Sequence, residues 1–241
     1  MAKDKLFKKR QRLVKDFTFG KKTAAVFDDM LDRSVPFYRE VQRMIGEIAA
    51  DFAVEGTSLY DLGCSTGNTL VGLDRTVPQD VRFVGVDSSQ EMLDRAREKL
   101  KRHGATRDYE LLRADLNQGV QVRNASLVVM NLTLQFIRPL YRHQLIRSLA
   151  SGMTDQGCLV LVEKVLPRDS TLNRLFIKYY YAFKERQGYS KMEIAQKREA
   201  LENILVPYRI EENQELLLSS GFSECDVFFK WYNFCGMIAL K

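Results

Sequence analysis

The chain has 241 residues, 45% hydrophobic and 28% charged, which is the balance of a globular protein able to bury a full core as one domain, with or without an insertion. It shows no run long enough to span a bilayer and no signal-peptide pattern, because the basic N-terminus is not followed by an apolar stretch, so the expected compartment is the cytosol. Cys64, Cys158, Cys225 and Cys235 have no C-x-x-C spacing and His103 and His143 are far apart, which argues against a metal site or a disulfide framework.

The net charge of +6 is unevenly placed. Residues 1–22 hold nine Lys and Arg against Asp4 and Asp16, a net of +7, leaving 28 bases and 29 acids, or −1, on the rest. Such an arm suits contact with RNA, a membrane surface or an acidic partner, and it also describes a solvated, poorly ordered end; no aromatic interleaving or nucleic-acid motif favours RNA. Residues 24–31 and 38–52 then carry apolar side chains at helical spacing. They are broken at Ser34-Val35-Pro36, with Pro36 expected in the tolerant first turn of the second helix. These helices, within 23–56, precede the first strand and can fold over a pocket as a cap, from which Tyr38 either reaches a ligand or simply packs.

The centre of the sequence is Leu59-Tyr60-Asp61-Leu62-Gly63-Cys64-Ser65-Thr66-Gly67, an apolar strand running into a small-residue turn and then a helical pattern over 68–75. Gly63 is expected to let backbone approach a ligand, and Gly67 to allow close packing of helix on strand. The next strand, 81–87, ends on Asp87, 20 residues beyond Gly67, where a carboxylate can take both hydroxyls of a ribose. A dinucleotide fingerprint needs G-x-G-x-x-G, whereas this turn reads D-x-G-x-x-x-G with Ser65 at the middle glycine. It therefore fits better the loop of S-adenosylmethionine enzymes, in which no phosphate is cradled. Cys64 in that turn is a small filler or a reactive thiol, the filler being the simpler reading.

Strands and helices keep alternating: a helix opened by Ser88 or Ser89, a strand at 109–114 ending on Asp115, and one at 126–130 ending on Asn131. A helix at 142–153, a turn at 154–157 and a fifth strand at 158–163 follow. The order implies a mostly parallel sheet with helices on both faces, and Asp61, Asp87, Asp115 and Asn131 should ring one crevice at the carboxyl ends of the strands. The rhythm breaks over 168–206, a helical insertion holding the aromatic run Tyr179-Tyr180-Tyr181-Ala182-Phe183, which needs burial in a core, a lid or a subunit interface. A last helix at 211–220 and strands at 225–229 and 234–240 close the domain as a hairpin.

This order, with its terminal strand pair, resembles the Rossmann-like class I S-adenosylmethionine-dependent methyltransferases, in which the last strand inserts antiparallel. Four motifs narrow the resemblance: Arg33-Ser34-Val35-Pro36 with Tyr38, Tyr60-Asp61-Leu62-Gly63-Cys64-Ser65, Asn131-Leu132-Thr133-Leu134-Gln135-Phe136, and Gln196-Lys197-Arg198 followed by Leu201-Glu202-Asn203. From about Phe17 to the C-terminus the chain is similar to the carboxy-S-adenosyl-L-methionine synthases of the bacterial tRNA wobble-uridine pathway. The resemblance implies a homodimer that turns S-adenosylmethionine and prephenate into carboxy-S-adenosylmethionine and phenylpyruvate. A partner enzyme then moves the carboxymethyl group to 5-hydroxyuridine in tRNA.

It also implies that Tyr38, Gly63, Cys64, Ser65, Asp87, Ser88, Asp115, Leu116 and Asn131 bind the cofactor, and that Arg198 holds the new carboxylate. Ser88 stands where family members can carry Asn. The chemistry suits a site without a His or Cys constellation: a sulfonium acidifies its own methyl group, and the resulting ylide can attack carbon dioxide released beside it, so the protein's tasks are orientation and exclusion of water. Arg198 offers the two-donor fork that grips a carboxylate, or else pairs with Glu202 on its own helix. An ordinary methyltransferase acting on a small molecule or RNA shares every strand-end residue and differs only at the insertion. A non-catalytic scaffold assisting a tRNA-modifying partner is opposed by the intact Asp61, Gly63 and Asp87.

Overall fold

Near-continuous apolar runs suit strands covered on both faces, and these runs become the central strands. The computed structural model describes residues 2–241. In it β1 (Ser58–Leu62), β2 (Arg82–Asp87), β3 (Tyr109–Arg113), β4 (Ala125–Asn131) and β5 (Met153–Leu166) lie parallel. A short β6 (Tyr208–Arg209) pairs with the end of β5, and β7 (Glu224–Trp231) and β8 (Phe234–Leu240) form the closing hairpin. The order is β3-β2-β1-β4-β5-β8-β7, so β8 inserts antiparallel between β5 and β7.

Each face of the sheet buries its own set of helices. One receives Val41, Ile45 and Ala49 of α3 (Tyr38–Phe52), Leu70 and Leu73 of α4 (Asn68–Leu73), and Leu93 and Leu100 of α5 (Gln90–His103). The other receives Leu145, Ile146 and Leu149 of α6 (Pro139–Gly152), together with Leu216 and Leu217 of α9 (Ile210–Ser219). A third cluster joins Phe17, Ala24, Phe27, Met30, Met92 and Ala200, uniting the N-terminal arm, α1 (Lys21–Ala24), α2 (Phe27–Ser34), α5 and α8 (Lys191–Leu201), the second helix of the insertion after α7 (Ser170–Arg186), beside the strand ends.

Local chemistry sets the helix ends. Ser89, not Ser88, caps α5 by accepting from Met92 N, and Gly104 ends that helix at φ 78°. Ser190 and Glu193 form a capping box on α8. Pro36 does not open α3: the helix begins at Tyr38 after Phe37 turns through φ 54°. The turn expected at 154–157 is a bulge inside one long β5, where the register shifts between Ala125, opposite Met153, and Leu127, opposite Cys158. The arm is not a solvated tail either. Asp4 is buried, Gln11 N donates to Gln196 Oε1 at 2.6 Å, and Phe17 N donates to Ala200 O at 2.8 Å. Its bases stay outside while Asp4, Leu6, Phe7 and Phe17 dock. No helix among the described residues is long and apolar enough to cross a membrane.

Arg142 fixes the insertion to the sheet. It is 1% exposed, donates from Nε to Ile137 O at 2.9 Å and from Nη2 to Val206 O at 2.6 Å, and lies 4.2 Å from the centre of the Tyr208 ring. Replacing it strands two buried carbonyls, each costing about 1–3 kcal/mol. Arg142→Met should lower the urea midpoint accordingly, and Arg142→Lys should recover only part of the loss; an unchanged midpoint in the Met variant would remove this role.

Candidate active site

The carboxyl ends of β1 to β4 open on a cavity of about 310 Å³. Tyr38, Gly63, Cys64, Ser65, Asp87, Ser88, Asp115, Leu116 and Asn131 all line it. Arg198 does not. It lies in an outer groove between α7 and α8 with Arg174, Ile177, Tyr181 and Ile194, while its neighbour Lys197 faces the cavity.

The turn after β1 is built from unusual backbone. Gly63 and Gly67 sit at φ 80° and 78°, and Ser65 takes φ 44°. Gly63 is required by packing rather than by ligand approach, because a Cβ there would stand 2.3 Å from Thr133 Oγ1. Gly67 admits α5 rather than a strand, its Cβ position being 3.1 Å from that of Ala96. Asp87 locks this turn to the next helix. Its Oδ2 accepts from Ser65 N at 3.0 Å and its Oδ1 from Ser89 N at 2.9 Å, which leaves further lone pairs for a ligand's hydroxyls. Burial holds the Asp87 carboxyl above its usual range.

Around this clamp the remaining groups are already oriented. Tyr38 Oη accepts from Gln42 Nε2 at 2.9 Å and Asn68 Nδ2 at 3.3 Å, and burial pushes its phenol up to about 12. Asp115 caps a short turn by accepting from Asn117 N at 2.9 Å. The Cys64 thiol is held well above its ordinary range by burial and by the charges of Asp61 and Asp87, so Cys64 is a neutral filler and not a thiolate. Two acceptors are left without protein donors: Asn131 Oδ1 in the cavity lining, and Oδ2 of Asp61, which does not ring the crevice as expected but is buried within β1, one residue before its end and behind the lining. Buried acceptors want donors, and neither of these finds one within the protein.

Sequence reasoning missed two contributors. Glu163 on β5 gathers the N–H groups of Thr133, Leu134 and Gln135 at 3.0, 2.7 and 3.0 Å, and so shapes the loop that follows Asn131. Phe17 and Phe19 of the arm line the cavity beside Phe136, and Ser89 Oγ donates to Phe19 O at 2.6 Å. Lys197 was legible only as the middle of the Gln196-Lys197-Arg198 motif, and it is this residue, not Arg198, that the fold turns into the cavity. The Phe-Thr-Phe after the basic run was the only signal for the arm; Glu163 gave none beyond its type.

A family model described as a methyltransferase domain matches residues 59–157. An O-methyltransferase family protein of Burkholderia thailandensis superposes with a TM-score of 0.66 at 15% identity, covering 95% of this chain and 65% of that one. Sheet order, strand-end crevice and matched domain together define a class I S-adenosylmethionine-dependent methyltransferase fold. The carboxy-S-adenosyl-L-methionine synthase of Methylococcus capsulatus is 58% identical over 100% of both chains, and that of Sulfurimonas denitrificans 46% over 99% of each. The chain belongs to the carboxy-S-adenosyl-L-methionine synthase family, whose members are transferases.

Burial, with the Asp87 charge second, pushes the Asp61 carboxyl up to about 8 from 3.8. A folded pKa above the unfolded one gives stability that is full below 3.8 and lost as the pH rises through about 8. Asp61→Asn keeps the shape and removes the titration, so the variant should gain on the wild type in thermal stability between about pH 5 and about pH 8.5. A difference that stays constant with pH would show that Asp61 does not titrate in this range.

Proposed function

We propose that the chain converts S-adenosylmethionine and prephenate into carboxy-S-adenosylmethionine, phenylpyruvate and water, in the cytoplasm, for later carboxymethylation of 5-hydroxyuridine at the tRNA wobble position by a partner transferase. The observation that carries this reading is the convergence of nine family-matched positions on one cavity, in a chain similar over its full length to named synthases. Asp87 takes the ribose hydroxyls. Asn131 offers an acceptor to the amino-acid end, while Leu116, Phe136 and Tyr38 wall the site. When bound, S-adenosylmethionine supplies an acidified sulfonium methyl group. The protein's part is to hold the fragments together and keep water out, which the arm's Phe17 and Phe19 assist.

Arg198 enters this scheme only through assembly. Its own chain places it in the outer groove, beside a face of α7 that leaves Ile177 exposed. In the homodimer we propose, a second copy covers this face and Arg198 reaches the crevice of that copy, where its two-pronged donor set holds the new carboxylate. The inner rings of the aromatic run are used within the chain: Tyr180 packs on Phe234 at 5.3 Å and Phe183 on Trp231 at 5.6 Å.

Incubation of the protein with S-adenosylmethionine and prephenate, followed by mass spectrometry, should yield carboxy-S-adenosylmethionine; its absence overturns the reading in favour of an ordinary methyltransferase. Arg198→Ala should keep its affinity for S-adenosylmethionine and lose the carboxylated product, with Arg198→Lys rescuing only in part because an ammonium lacks the planar fork. Asp87→Ala should weaken S-adenosylmethionine binding by about 1.5–3 kcal/mol for each charge-assisted hydrogen bond lost, read by calorimetry. Unchanged affinity would take Asp87 out of the site.

A further inference from the structure

Beside the cavity, where α2 meets α8, the protein has gathered cations without enough acids to match them. Lys197 is the one Lys or Arg in the cavity lining. Its Nζ donates to Ser34 Oγ at 3.1 Å, and Ser34 Oγ donates to Tyr189 Oη at 3.3 Å. Tyr189 Oη in turn donates to Asp4 Oδ2 at 2.7 Å. Lys184 and Lys164 share the same aromatic surroundings. Lys184 Nζ stands 5.5 Å from the Tyr189 ring centre and 5.4 Å from that of Tyr180, and Lys164 Nζ stands 4.8 Å from that of Tyr180. Lys184 and Lys197 are buried, and among the described residues neither Lys164 Nζ nor Lys184 Nζ donates a hydrogen bond. Arg33 stacks on Tyr189 at 4.0 Å but is paired with Asp29 at 3.2 Å. Three ammonium groups therefore face one carboxylate, Asp4, which itself reaches them through Tyr189.

Buried charge without a partner is expensive, and ring faces compensate only in part. The cost shows in the lysines, since loss of hydration brings Lys184 down to about 6 and Lys164 and Lys197 down to about 8, mutual repulsion adding to the fall at Lys184. A cluster of this kind at the wall of a cavity suits an anion. The proposed second substrate carries two carboxylates, one that leaves as carbon dioxide and one that stays on the 2-oxo acid. Carbon dioxide release is helped by an apolar setting and opposed by a cation fixed on the departing group. The retained carboxylate is the one that benefits from a permanent anchor.

We propose that Lys197, backed by Lys184 and Lys164, is the binding site for the 2-oxo-acid carboxylate of the second substrate. This site rests on the function proposed above, and it differs from that of Arg198, which serves the new carboxylate on the sulfonium product. Ser34 and the Tyr189–Asp4 relay aim the ammonium, and docking of the arm brings Asp4 to it. An anion bound here restores the lysine charge, so binding takes up protons near pH 8.

The test uses Lys197→Met and, in case that change perturbs the cap, Lys184→Met, with phenylpyruvate as the probe on S-adenosylmethionine-saturated protein. Calorimetry in buffers of differing ionisation enthalpy should show proton uptake with phenylpyruvate in the wild type. In Lys197→Met, phenylpyruvate affinity should fall about ten- to a hundredfold and the KM for prephenate should rise in step, as expected for one lost charge-assisted contact. S-adenosylmethionine affinity should stay within about twofold, which reports that the cavity is intact. Lys184→Met should reduce proton uptake. If the wild type makes carboxy-S-adenosylmethionine but both variants keep wild-type phenylpyruvate affinity and KM, the carboxylate site is overturned and the function stands. If the wild type makes none, the function falls first; phenylpyruvate binding that depends on Lys197 would still support a 2-oxo-acid site, and its absence would overturn that site too.

Discussion

The crevice depends on one buried carboxylate in the second half of the sheet. Three consecutive backbone N–H groups, at residues 133–135, point inward after β4, and Glu163 on the neighbouring strand accepts all three. Its burial outweighs those donors and pushes the carboxyl up to about 8. The same loop reaches outward through Gln135, whose carboxamide oxygen accepts from Lys164 N at 3.2 Å and whose backbone oxygen accepts from Val206 N at 2.8 Å. Sheet, cavity wall and the end of the insertion are thus tied at a single node. Thr133, held there, is also the side chain that forces residue 63 to be glycine. The two halves of the nucleoside site are consequently matched through contact, although some 70 residues of chain lie between them.

Electrostatics at the site follow from exclusion of water more than from pairing. Asp61, Asp87 and Glu163 are carboxyl groups raised by burial, and Lys164, Lys184 and Lys197 are ammonium groups lowered by it. Of these groups Asp87, at the end of β2, and Lys197, on α8, line the cavity, so an acid and a base enter it from different elements before any ligand does. That arrangement suits a cationic sulfonium on one side and an anionic partner on the other, both gaining because the medium between them is poorly screened. The formal net charge of +6 says little about this, since the exposed bases of the arm dominate the count while its buried Asp4 does the local electrostatic work.

Much of the fold was legible in sequence because its determinants are local and periodic. Apolar runs closed by polar residues gave the parallel strands, and each acid or amide at a strand end was legible as a candidate because parallel sheets bind ligands there. Elements without a strong period were less legible. β6 has two residues and exists only because β5 offers it an edge, and the bulge at 154–157 carried a turn's composition inside a continuous strand. The arm was misread because nine cations conceal five apolar anchors, Leu6, Phe7, Val14, Phe17 and Phe19, whose partners are far along the chain in α2 and α8.

By itself the sequence determined the class of sheet, the turn from Gly63 to Gly67, and Asp87, Asp115 and Asn131 as residues that meet at the strand ends, though not that Asp61 would be buried behind them. These follow from side-chain period, backbone permissiveness and fixed spacing, all of which operate over a few turns of chain. Only the tertiary structure decided that Arg198 faces away from its own crevice while Lys197 faces in, since adjacent helical residues point about 100° apart and nothing local says which will be buried. It also decided that Glu163 would be an acceptor for a distant loop and that Asp4 would be the one acid among three lysines. Such roles arise when segments remote in sequence exclude water together, and the free energy of a buried charge depends on what has been brought beside it.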